Sequence, residues 1–192
     1  MMKNSVHALT VAAAAFVLLT TGTAQAAAPE RFDGQDASTK QRWSYADRNV
    51  TVYFGAKNLK REVTMQSKHL EFRLDADLVT APQDRTFEVP AETSTDDGRT
   101  WKKSGNTGLG CRAETADSGE SVQVVTCTNT NTTRWEKNSI LRWGVPATMT
   151  PAQTGNDITL GNGEMAFEAA VGWGATQDFV TPRMTARADI NE

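Results

Sequence analysis

From Asn49 onward, apolar residues recur at every second position, and a fold for this chain has to satisfy that period. Val50, Val52 and Phe54 alternate with Thr51 and Tyr53; Leu70, Phe72, Leu74, Ala76 and Leu78 interleave with Glu71, Arg73, Asp75 and Asp77. Successive side chains of a strand point to opposite faces, so such a run has one buried and one wet face. Val63 and Met65 precede the second run, and Pro82 and Pro90 bracket a short strand containing Phe87 and Val89. Ile140 to Val145 and Asp157 to Leu160 read as strands. Gly161-Asn162-Gly163 reads as a tight turn into Met165, Phe167, Ala169, Val171 and Trp173, and a last segment ends near Ile190. No window keeps a helical period over three turns. Strands at roughly ten-residue spacing with Gly, Pro and Asn turns point to an all-β sandwich or barrel.

The first 26 residues have another design. Lys3 precedes an apolar run from Ala8 to Thr20, and Ala24-Gln25-Ala26 has the form of a signal-peptidase site. The run is too short to span a bilayer, which takes about 20 residues. The expected product is a secreted chain cleaved near Ala26–Ala27, with no membrane anchor. Its 166 residues suffice for one domain with a real core. Only Lys3 is lost among the charges, so the net charge moves from −3 to −4, which offers no footprint for nucleic acid or an anionic membrane. Residues 27–46 are polar and unpatterned and read as a leader or irregular arm, leaving 47–192 as the β domain.

Cys111 and Cys127 are the only cysteines. An even count behind an export signal favours a disulfide over a metal site or a catalytic thiol; the rival is a pair of buried free thiols. The segment between them has Asp117, Ser118 and Gly119 at its middle. A hairpin folded at Gly119 would set the two cysteines opposite each other on one sheet face.

Ser94-x-Asp96-x-Gly98-x-Thr100-Trp101 matches S-x-D-x-G-x-T-W at every defined position and resembles the Asp box. The resemblance implies a hairpin clip in which Ser94, Asp96 and Thr100 bond the turn backbone, Gly98 takes positive φ and Trp101 packs beneath. Asp boxes occur in sialidases and in unrelated secreted β proteins, where they look structural. A sialidase propeller needs several four-stranded blades, more than this length and one such motif supply. A second resemblance rests on Cys111, a polar turn and the Val-x-Val-x-x-Cys-Thr pattern ending at Thr128, followed by Gly155 to Val171. It is similar to the Ig-like modules of bacterial surface proteins, and implies an Ig-like sandwich serving as spacer or binding domain.

Candidate chemistry is sparse. The mature chain has one histidine, His69, on the outward parity of Glu71, Arg73, Asp75 and Asp77, which reads as a solvated face rather than a metal site. No G-x-S-x-G elbow accompanies it. Glu164 and Glu168 share a strand face, but their Cα atoms would stand about 13 Å apart, too far for glycoside cleavage. No catalytic residue, metal site or cofactor is assigned. Among five tryptophans, Trp101 and Trp173 follow the core pattern, whereas Trp43 and Trp135 sit in polar surroundings and are the candidates for stacking on a sugar ring. The chain therefore reads as a secreted, single-domain, Ig-like β-sandwich with one disulfide, a non-catalytic extracellular or cell-wall-associated binding or structural module, with extracellular glycan, cell wall or protein as the candidate partners. The alternative is a small glycan-binding or glycan-active protein.

Overall fold

The computed structural model describes residues 28–104, 109–115, 121–150 and 154–191; the expected signal and the turn expected at Gly119 lie outside them. Sixteen strands are described. The first eight are β1 (Glu30–Arg31), β2 (Gly34–Asp36), β3 (Gln41–Ser44), β4 (Asn49–Asn58), β5 (Val63–Asp75), β6 (Val79–Thr80), β7 (Phe87–Val89) and β8 (Ala91–Ser94). The rest are β9 (Lys102–Lys103), β10 (Leu109–Thr115), β11 (Val122–Asn129), β12 (Thr133–Trp135), β13 (Ile140–Met149), β14 (Gly155–Gly172), β15 (Ala175–Val180) and β16 (Met184–Asn191). They form two sheets. The ten-stranded sheet runs β1-β15-β14-β5-β11-β10-β7, with β12 beside β5, β16 on β14 and β3 on β16; the six-stranded sheet runs β2-β4-β13-β8-β9, with β6 on β13. The chain is an all-β, two-sheet sandwich.

Alternation decides which faces meet. On β5, Leu70, Phe72 and Leu74 are fully buried while His69 and Arg73 face solvent. Phe72 stacks on Phe54 of the opposite sheet, with ring centroids 4.7 Å apart. Burying one such ring stabilises by about 1.5–3 kcal/mol. Met65 and Leu70 are both inward although they are five positions apart, an odd offset that would put them on opposite faces of a regular strand. Ser67 (φ +31°) resolves this as the extra residue of a bulge against Phe167/Glu168, and the shift turns Lys68 inward. Its ammonium donates to the Asn131 carbonyl, and desolvation lowers its pKa. Gln123 also points inward, and its amide pairs with both backbone groups of Ala81 (2.6 and 3.2 Å).

Cys111 and Cys127 are bonded, Cα–Cα 4.1 Å, as directly opposed residues of the antiparallel β10–β11 pair. The bond staples neighbouring strands of one sheet and closes a loop with sequence separation 16, which stabilises by roughly 3 kcal/mol.

Two expectations are corrected. Residues 28–46, within the stretch expected as a leader or irregular arm, carry strands instead: β1 pairs with β15, β2 with β4 and β3 with β16. Phe32, 5% exposed, stacks on Trp135 and meets Phe167 and Phe179 edge-on. Phe32 and the partly buried Trp43, apolar rings among polar residues, tie the segment into the core, a signal that periodicity does not register. Gly161-Asn162-Gly163 is not a turn but lies inside the 18-residue β14. A Cβ on Gly161 (φ +154°) would meet the Arg73 carbonyl at 2.2 Å, so glycine there serves close strand approach at a bulge.

Candidate functional site

The stretch Ser94–Trp101 leaves β8 and returns as β9 through a turn closed by side chains. Buried Ser94 donates its hydroxyl to Asp96 Oδ1 (2.7 Å) and accepts the N–H of Gly98 (2.9 Å). Asp96 accepts the Thr100 N–H on Oδ1 (2.9 Å) and the Thr100 hydroxyl on Oδ2 (2.6 Å). These bonds, those from Thr100 foremost, hold the Asp96 carboxyl well below the usual carboxylate range. Asp97 and Gly98 take φ of +57° and +83°, and Lys57 of β4 binds Asp97 Oδ1 at 2.6 Å. Short polar side chains capping their own backbone make this turn where the chain reverses.

The turn delivers Trp101 onto the outer face of the six-stranded sheet. There the Arg142 guanidinium lies between two rings, 3.5 Å from the centroid of Trp101 and 4.1 Å from that of Tyr53. Glu92 of β8, directly opposite in register, accepts from Arg142 Nε (2.8 Å) and Nη2 (2.6 Å). Cation–π contacts are worth about 0.5–2 kcal/mol each, more when partly desolvated as here. Gly144 makes the layer possible, since a Cβ there would meet Thr51 at 2.7 Å and Tyr53 at 2.9 Å.

Beside this sandwich runs an open groove of about 490 Å³ between β3 and β4, bordered by Gln41, Trp43, Asp47, Asn49, Tyr53 and Arg142. It exists because β2 covers β4 only at residues 56–58, after which the chain crosses to the other sheet as β3. The Gln41 carboxamide spans the gap, its nitrogen donating to the Thr51 carbonyl (2.6 Å) and its oxygen accepting the Tyr53 N–H (3.2 Å) in the orientation this pattern assigns. Trp43 is half-buried, packed against the core on one side and bordering the groove on the other.

The tryptophans divide differently from their sequence surroundings. Trp43 keeps an accessible face. Trp135, the other stacking candidate, is 1% exposed, because β12 pairs with β5 and its indole stacks on Phe32 while donating to the Ser139 carbonyl. Trp173 is fully exposed rather than core: it follows the strand parity but sits in the β14–β15 turn, where parity no longer decides direction. Arg142 meets Tyr53 and Trp101, not its sequence neighbour Trp143, because adjacent strand residues face opposite ways. Tyr53, Glu92 and Arg142 are the residues a linear reading misses, since they come from three separate strands that only pairing sets side by side.

On the outer face of the larger sheet, Glu164 is opposed in register not to Glu168 but to Glu71. Each is held by an arginine, Glu71 by Arg73 (2.8 Å) and Glu164 by Arg31 (3.3 Å). Among the described residues no group of three or more His, Cys, Asp or Glu could hold a metal ion, and no helix is long and apolar enough to cross a membrane.

No family model matches the chain, and no curated protein matches its sequence. Among solved structures it is similar to a cohesin module from a family 33 glycoside hydrolase of Clostridium perfringens ATCC13124, at 14% identity and a TM-score of 0.39, over 86% of this chain and 99% of the module.

Proposed function

We propose that the chain is an exported, non-catalytic β-sandwich module that binds an extracellular glycan, cell-wall polymer or protein in the groove between β3 and β4. One observation carries this reading: two aromatic residues held in place by the fold, Trp43 and Tyr53, border an open groove together with amide, hydroxyl and guanidinium groups. Rigid rings beside a few placed polar groups are what ligand sites use. The Asp-box reading of Ser94–Trp101 fits a structural role, because the clip positions Trp101 against Arg142 and Arg142 borders the groove. Glycoside cleavage uses two carboxyls across the scissile bond, and the residues bordering the groove supply one, Asp47.

The test is retention of the mature chain on purified cell wall and on immobilised glycans. Wild-type protein and a Trp173→Ala variant should both be retained, and Trp43→Ala should be lost while keeping its circular dichroism spectrum. Equal retention of folded Trp43→Ala would remove the groove from consideration.

A further inference from the structure

We propose, resting on the groove as the binding site, that its occupant is an extended peptide segment of a partner protein, added as a strand to the free edge of β4 at Thr51 and Tyr53. Four residues join β3 to β4, and Asp47 closes that turn by accepting the Ser44 N–H (2.8 Å) and donating its own to the Ser44 carbonyl (2.9 Å). A connection this short ordinarily joins the two strands of a hairpin. Here no ladder forms between them among the described residues. β3 pairs with β16 instead, and β4 has no strand neighbour on that side until β2 meets it at Ala56.

The opposite strand fixes which backbone groups face the groove. Thr51 stands opposite Pro146, which has no N–H to give, and Tyr53 stands opposite Gly144, whose N–H goes away from β4 to the Pro90 carbonyl (3.1 Å). Both are therefore non-hydrogen-bonded pairs of the β4–β13 ladder, and the N–H and carbonyl of Thr51 and Tyr53 point outward from it. The Gln41 carboxamide takes two of these four groups, the Thr51 carbonyl and the Tyr53 N–H, where a neighbouring strand would. The Thr51 N–H and the Tyr53 carbonyl have no partner among the described residues. Further along this edge, the Gly55 carbonyl accepts the Ala37 N–H (2.8 Å) and the Gly55 N–H goes to the Ser38 hydroxyl (3.1 Å). The charged side chains bordering the groove already have partners: Arg142 in Glu92, Asp47 in the Ser44 N–H and Arg42 in Asp189 opposite. What the groove leaves open is backbone, and an unpaired strand edge selects an extended chain. Trp43 and Tyr53 border it and offer ring surface to that chain's side chains.

Selection from a random heptapeptide library on the immobilised mature protein, followed by calorimetry with the recovered peptides, tests this. Methylating one alternate set of their backbone nitrogens should abolish binding while methylating the other set is tolerated, as one-sided strand pairing requires. Gln41→Ala, which vacates the Thr51 carbonyl and the Tyr53 N–H, should tighten binding by about tenfold, the worth of a hydrogen bond that the guest no longer displaces. Trp43→Ala should abolish it. If binding survives methylation of both sets, or if Gln41→Ala weakens it, strand addition is wrong while the groove stands, provided Trp43→Ala still abolishes binding. If the recovered peptides bind Trp43→Ala as they bind wild-type protein, the groove is not where peptide binds, and strand addition at β4 is wrong with it. If no peptide is recovered, the peptide class is overturned, and retention on cell wall or glycan that depends on Trp43 then decides the groove separately.

Discussion

Two turns of this molecule carry a tryptophan beside residues of positive φ, and they are built in opposite ways. In Ser94–Trp101, Asp97 and Gly98 take φ of +57° and +83°; in the β14–β15 turn, Trp173 and Gly174 take +49° and +79°. The first is clamped by five hydrogen bonds from Ser94, Asp96 and Thr100 side chains, and its indole is locked against Arg142. The second is a two-residue loop between paired Gly172 and Ala175, and its indole touches solvent on all sides. Positive φ at both central residues is the signature of a type I′ turn, which favours Asn-Gly and strains a bulky residue. Similar backbone geometry can thus be held by side chains at one site and by strand pairing alone at another. The difference tells which tryptophan the fold has put to use.

The sharpest way to break the comparison is to unlock the first indole. Arg142→Ala removes two ring contacts and leaves Glu92 without its partner in a mostly covered position, with side-chain exposures of 15% and 24% for the pair. Chemical denaturation should show a loss of about 2–3 kcal/mol. A loss below about 0.5 kcal/mol would mean that Trp101 needs no lock and that the two turns differ only in appearance.

A second, smaller effect separates the turns by pH. Asp96 has a lowered pKa in the folded state, so its contribution is complete above the unfolded carboxylate value of about 4 and is lost as pH falls toward the folded value. Wild-type protein should lose thermal stability between about pH 4 and pH 2 more steeply than Asp96→Asn, which has no carboxylate to titrate. Parallel curves for the two proteins would show that Asp96 does not fasten the clip.

The smallest effect has the opposite sign. Trp173→Asn places the preferred residue at the first position of the type I′ turn and removes no packing, so stability should rise by about 0.5 kcal/mol. A fall, read by differential scanning calorimetry, would mean that the exposed indole contributes to the fold after all.

How much was legible beforehand follows from the range of each interaction. The β5 strand, the disulfide partners and the local clip around Asp96 all rest on period two, on a single available partner, or on residues within four positions of each other. Each can be read along the chain. Trp135 and Trp173 show where such reading stops: one has polar neighbours in sequence and an aromatic one, Phe32, in space, and the other has strand parity but sits in a turn.

The sequence by itself determined an all-β chain with one hairpin disulfide and a side-chain-capped turn, because alternation, a lone cysteine pair and short capping residues act locally. Only the tertiary structure decided that residues 30–44 join both sheets and that β3 diverges from β4 to open a groove. It also decided that Tyr53, Glu92, Trp101 and Arg142, from four separate segments, form one layer. Those residues are brought together by strand order, and strand order depends on which faces pack best across the whole sandwich, a sum that no short window of sequence contains.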